Sequence, residues 1–201
     1  MGFRVQEISA AIVSVKARMA TLEQDLNAAD SQLGDGDTGG MLARVVDRLS
    51  EENLSAVDDV GVAFSTLARA AASSTGSSLG TLLATALMTM SRSTKGRNEV
   101  PWSELGDLLA AARDAMLARG GAKLGDKTVI DGLDAIANAT RGIDDRAGIG
   151  QAASTSAVEV LARFRDEPCR MGRARMFGDK SRGMDDPGML ALVRLTEAVA
   201  A

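Results

Sequence analysis

Asp30, Asp35 and Asp37 place three carboxylates within eight residues, the last two inside Gly34-Asp35-Gly36-Asp37-Thr38-Gly39-Gly40. Charges of one sign this close repel unless they are solvated, protonated or bridged by a cation. Oxygen-only ligands from a flexible glycine loop suit Mg2+, which keeps several waters and shares its remaining sites with phosphate oxygens. A calcium loop is excluded, because twelve residues counted from Asp35 end at Val46 and not at a bidentate Glu. The competing reading is a solvated acidic turn that caps the next helix, a role Asp and Thr often take. From the triad alone the two readings stand level.

Three other segments carry groups that could meet a phosphate. Gly76-Ser77-Ser78-Leu79-Gly80 precedes an apolar helical run, and free amides and hydroxyls at a helix N-terminus attract anions. Taken alone, plain capping by Ser77 or Ser78 explains it better. Gly125-Asp126-Lys127-Thr128 resembles the end of a Walker A loop but is not one. Asp126 stands where Gly must abut Lys, and no strand precedes it. Thr128 is expected to cap the following helix and Lys127 to be solvated. The stretch 171–187 alternates basic and acidic residues with glycines at 172, 178 and 183, and Gly188 follows directly. Such a loop fits a lid or ligand clamp, with Arg173 offering a planar fork to phosphate, although solvated surface charge is the default. Cys169 and the ten methionines are assigned to packing.

These groups need a scaffold. The chain has 201 residues, enough for a single domain over 1–201 with a full core. Its apolar residues are mostly Ala, Leu and Met, with four Phe, one Trp and no Tyr, a mix that favours helices over strands. A net charge of −4 offers no basic stripe for nucleic acid or an anionic membrane. The longest mostly apolar run, 82–90, is too short to span a bilayer, no signal core opens the chain, and the single cysteine fits a reducing compartment. The expected location is cytoplasmic. The chain contains no histidine, which excludes a phosphohistidine, a His general base or a His metal ligand within it.

Apolar residues at Val5, Ile8, Ile12, Val15, Met19, Leu22, Leu26 and Ala29 alternate by three and four, one face of a long helix. The pattern stops at Asp30, residues 31–40 read as a loop, and helical spacing resumes at Met41 and runs to Leu49. Further amphipathic runs cover roughly 54–71, 77–90, 103–119, 129–140, 151–166 and 187–200. About eight helices and no convincing strand predict an all-α antiparallel bundle or barrel with its chemistry in the loops at one end.

In this order the segments resemble the L subunit of dihydroxyacetone kinase and the matching C-terminal domain of single-chain forms. The matching pieces are Leu26-Asn27-Ala28-Ala29-Asp30, Gly34-Asp35-Gly36-Asp37-Thr38-Gly39, Gly76-Ser77-Ser78, Gly125-Asp126-Lys127-Thr128-Val129-Ile130-Asp131, Gly172-Arg173-Ala174 with Gly178, and Asp186-Pro187-Gly188. The resemblance implies a barrel of eight antiparallel helices in which Asp30, Asp35 and Asp37 hold two Mg2+ ions against the phosphates of ADP or ATP. It places Thr38, Gly39, Gly40, Met41, Ser77, Ser78, Gly120, Val129, Arg173, Asp186, Pro187 and Gly188 around the nucleotide. Thr38, Met41 and Val129 depart from the His, Asn and Met usual there.

The implied activity is a phosphotransferase working only with a partner, a K-type subunit that binds a short ketose covalently through a histidine. The absence of histidine here is what that division of labour requires. The phosphoryl source is either exchanged ATP or bound ADP recharged by a phosphohistidine carrier protein. The alternatives are the nucleotide domain of a fatty-acid kinase, suggested by Asp37-Thr38-Gly39, and a helical regulatory module that binds nucleotide without turnover. Fatty-acid kinases usually carry further domains after this one, whereas this sequence stops at Ala201, which ranks that reading second.

Overall fold

A computed structural model describes residues 1–200. The first long helix, α1, spans Val5–Leu33 and buries Val15, Met19, Leu22, Leu26 and Leu33 along one face. It therefore passes through Asp30, the expected end, because Leu33 continues the apolar stripe for one more turn and is 1% exposed. The turn is confined to 34–37, and α2 spans Thr38–Ser50, so Thr38, Gly39 and Gly40 are the first turn of a helix and not loop.

The remaining helices are α3 Val60–Ser74, α4 Ser78–Thr94, α5 Leu105–Gly120, α6 Val129–Thr140, α7 Arg146–Phe164 and α8 Pro187–Ala200. Two starts differ from expectation, and caps explain both. Asp59 accepts a hydrogen bond from Val62 N at 3.0 Å, so α3 begins at Val60 and not near 54. Asp145 accepts from Gly148 N at 2.8 Å, so α7 begins at Arg146, before 151, and carries Gly148 and Gly150 inside it despite their low propensity. A short 3-10 segment, Ala174–Ser181, organises part of the connection expected to be irregular.

The expectation of no strand needs a small correction. Residues Gly2–Phe3 (β1) and Val100–Pro101 (β2) pair antiparallel, with Phe3 opposite Val100. Phe3 packs on Trp102 and Phe64, with ring centroids 5.2 and 6.5 Å away. This aromatic cluster ties the chain start to the α4–α5 connection.

Each helix packs on the next in sequence, and α8 returns to α1, closing an up-and-down ring of eight helices. The ring encloses an apolar cavity of about 870 Å³, lined from all eight helices by residues such as Ile12, Leu67, Leu87, Leu105, Ile136 and Leu195. These belong to the half of the ring remote from the acidic turn. Up-and-down order puts the α1–α2, α3–α4, α5–α6 and α7–α8 connections together at the other end. No helix among the described residues is long and apolar enough to cross a membrane.

The α1–α2 pair approaches closely where Gly39 faces α1. A Cβ at Gly39 would lie 2.1 Å from the Glu23 carbonyl oxygen, so only Gly fits without separating the helices. Gly39→Ala is expected to destabilise the fold by ~1–3 kcal/mol, as overpacking does. Urea unfolding of the two proteins checks this, and equal midpoints would show that the helices can part freely.

Candidate metal and phosphate site

Asp30 occupies the last turn of α1 and is 7% exposed. Its Oδ2 accepts hydrogen bonds from Asp37 N at 2.9 Å and Thr38 N at 3.2 Å. One turn earlier, Asn27 Oδ1 accepts from Gly39 N at 2.8 Å and Gly40 N at 3.1 Å. The first turn of α2, whose amides have no partner within their own helix, is thus capped from α1. Asp37 makes no side-chain cap, and Asp35 and Asp37 are exposed. Capping therefore accounts for Asp30 but not for Asp35 and Asp37.

Asp30, Asp35 and Asp37 each present an oxygen within 4.8 Å of the others. The glycines allow this crowding. A Cβ at Gly34 would lie 2.2 Å from Asp30 Oδ1, and Gly36 holds φ +76, the left-handed region glycine favours. Arg173 reaches across from the α7–α8 connection and pairs with Asp35. Three anionic oxygens with no nitrogen or sulfur ligand are the donor set of a hard cation such as Mg2+.

The other expected residues are distributed over the same end. Ser77 caps α4: its Oγ accepts from Gly80 N at 3.0 Å, and its own N–H donates to Thr75 Oγ1 at 3.0 Å. Ser78 is exposed beside it. Gly120 is the exposed last residue of α5, close enough to α4 that a Cβ there would lie 3.5 Å from Leu82 Cδ2. Met41 differs from the others, because its side chain is buried in the core at 3% exposure. Its contribution to the turn is a backbone N–H donated to Asp37 O at 2.8 Å.

Val129 opens α6 behind a capping box in which Thr128 Oγ1 accepts from Ile130 N at 3.2 Å and Asp131 Oδ2 accepts from Thr128 N at 2.8 Å. Asp186 caps α8 through Oδ1, which accepts from Met189 N at 2.9 Å, and Pro187 and Gly188 form the first turn. A Cβ at Gly188 would lie 3.5 Å from Val129 Cβ, so the two helix starts abut. Burial pushes the Asp186 carboxyl up to about 6, against the opposing pull of the Met189 and Gly188 amides and the Lys127 charge.

Lys127 corrects the expectation of a solvated side chain. It is 1% exposed, and Nζ donates to Arg165 O at 2.9 Å, Glu167 O at 2.8 Å and Ser181 O at 3.1 Å. No local pattern announces this; a lysine flanked by polar residues reads as surface. Asn27 carries no motif of its own, although it lies three residues before Asp30 on the same helix face, a spacing that points to it. Cys169 is 3% exposed and burial pushes its thiol up, consistent with packing. Met1 and Met176, in contrast, are 100% and 82% exposed and do not pack.

A closed ring of eight helices with an acidic turn and an arginine at one end defines a class of α-helical barrel. The chain belongs to the DAK2 domain family, whose model matches residues 32–201. It is 30% identical over 199 residues to the L-erythrulose 1-kinase of Mycolicibacterium smegmatis, covering 96% of this chain and 35% of that protein. It is 24% identical over 193 residues to the ADP-binding subunit DhaL of the PEP-dependent dihydroxyacetone kinase of Escherichia coli, covering 90% and 89% of the two chains. The chain thus spans about a third of the erythrulose kinase but most of the separate subunit. In fold it is similar to the dihydroxyacetone kinase of C. freundii in native form, with TM-score 0.72 at 23% identity, over 96% of this chain and 34% of that one. The same enzyme in complex with AMP-PNP and Mg2+ matches with TM-score 0.70 at 22% identity, over 100% and 34%.

Proposed function

We propose that this chain is the ADP- or ATP-binding subunit of a two-component ketose kinase, a single nucleotide-binding domain over 1–201 acting with a ketose-binding partner. The convergence of Asp30, Asp35 and Asp37 within 4.8 Å, with Arg173 drawn onto Asp35, is the observation that carries this reading. The names of the relatives, two kinases of short ketoses among them, support the substrate class.

Asp30 is held rigid by two backbone amides, while Asp35 and Asp37 project from the turn into solvent, where two Mg2+ ions and nucleotide phosphates would be met. Bound Mg2+ supplies the positive charge that neutralises phosphate oxygens as the phosphoryl group moves. Arg173 offers its planar guanidinium to the same oxygens, and the start of α4 behind Ser77 and Ser78 adds amides and a hydroxyl. Thr38, Gly39, Gly40 and Met41 contribute backbone near the triad, and Gly120, Val129, Asp186, Pro187 and Gly188 the walls for the nucleoside. This is catalysis by positioning and electrostatics, with no nucleophile drawn from this chain.

A chain with no histidine cannot supply the covalent ketose anchor of a K-type subunit. The isolated protein is therefore expected to form no ketose phosphate above background, and a K-type partner to restore turnover. The assay measures ketose phosphate from ATP, or from a phosphorylated carrier protein, with each subunit alone and with both mixed. Robust turnover by this chain alone would overturn the split-site reading.

A further inference from the structure

Lys127 occupies an unusual place. It is the largest side chain in the fold that is under 2% exposed, and the only non-glycine among the described residues with positive φ, at 60°. Both features are unfavourable in isolation. A buried ammonium loses its hydration, and left-handed backbone disfavours a side chain with a Cβ. Such features persist where the surroundings compel them.

The three acceptors show what compels them. An ammonium has three N–H donors, and all three are used, on Arg165 O, Glu167 O and Ser181 O. Every acceptor belongs to the stretch between α7 and α8, and they bracket its two ends. None lies on α1 to α6. One side chain from the α5–α6 connection therefore staples the α7–α8 connection to itself at both ends.

Other contacts converge on the same staple. Gly183 N donates to Arg165 O at 2.9 Å, Cys169 N to Ser181 Oγ at 2.8 Å, and Arg170 N to Asp126 O at 3.1 Å. The Arg165 guanidinium grips Asp185 with both Nε and Nη2, at 2.8 and 2.7 Å. Between the stapled ends the chain carries Arg173 out to Asp35, and beyond them it delivers Gly188 against Val129, with Asp186 capping α8 beside it. Thr128, next to Lys127, caps α6. Lys127 is thus the point where the two connections and the starts of α6 and α8 are joined.

We propose that Lys127 is a positioning residue of the nucleotide site: its buried ammonium latches the α7–α8 connection in place, and through that connection sets Arg173 at the triad and Gly188 beside Val129. The role rests on the nucleotide reading given above for its consequence, and on the three hydrogen bonds for its structural part.

The test uses the full chain with Lys127→Met, an unbranched side chain one atom shorter that removes all three donors. Hydrogen exchange on the ligand-free protein should show lost protection over 168–185, with α1 to α4 protected as in the parent. Calorimetry with MgADP should show affinity roughly tenfold weaker, the scale on which supporting residues around a metal site act. Combined with Arg173→Ala, the double variant should lose less than the product of the two single losses, because Lys127 acts partly through Arg173. A purely structural lysine would give losses that multiply. If Lys127→Met does not fold, Lys127→Arg carries the same measurements, since a planar fork cannot address three carbonyls converging on one atom. Unchanged protection over 168–185, multiplying losses, or global unfolding of both variants would each overturn the latch. A parent protein that fails to bind MgADP, with protection still lost in the variant, would sink the nucleotide reading and leave the latch standing.

Discussion

Asp35→Asn is expected to lower MgADP affinity and partner-dependent kinase activity by about 100-fold or more while the helical fold survives. The magnitude follows from removing one charged ligand where phosphate charge must be neutralised. The survival follows from position. Asp35 is exposed, sits in a turn, and accepts no backbone amide that any helix needs. Its ion-pair partner, Arg173, is itself mostly exposed, so the pair adds little to stability. Asp30→Asn should behave differently. Its carboxylate caps the start of α2 from within α1, so weakened hydrogen bonds to Asp37 and Thr38 should lower the melting temperature as well as the affinity. Circular dichroism with calorimetry separates the two. An Asp35→Asn protein as active as the parent would remove the ligand role.

Chelation should produce an effect of similar size with no change in sequence. In the proposed site three carboxylates within 4.8 Å of one another would face the phosphates of the ligand, and without a cation every pairing between them would be repulsive. Affinity for ADP is expected to fall on the order of 100-fold or more in excess EDTA and to return when Mg2+ is restored. Because the core and the caps of α2 are built from protein groups, the ligand-free protein should keep its helical content in EDTA, as circular dichroism would read. Equal ADP affinity with and without chelator would assign the triad to a solvated turn after all.

Much of this protein could be read before its fold was known. The three-and-four spacing from Val5 to Ala29 is a property of one helix, independent of its neighbours, and it was visible for the same reason along the later segments. Boundaries were less visible where a side chain reached across. Asp145 extends α7 backward over two glycines, and Leu33 prolongs α1 past Asp30, the expected end, so the triad's first member lies within the last turn of a helix. Ring closure by α8 on α1 follows the expected barrel, yet no residue pattern states it.

By itself the sequence determined the helical class, the carboxylate triad and the absence of any histidine chemistry, because residue type, local spacing and composition are complete in the linear chain. Only the tertiary structure decided that α2 is capped from Asn27 and Asp30, that Arg173 lands on Asp35, and that Lys127 is buried. The first joins two helices across a tight turn, the second joins groups far apart in sequence, and the third hides a charge inside the fold. Which charges meet depends on which connections the closed ring gathers at one end. A lysine between Asp126 and Thr128 looks solvated until three carbonyls from another connection close around it.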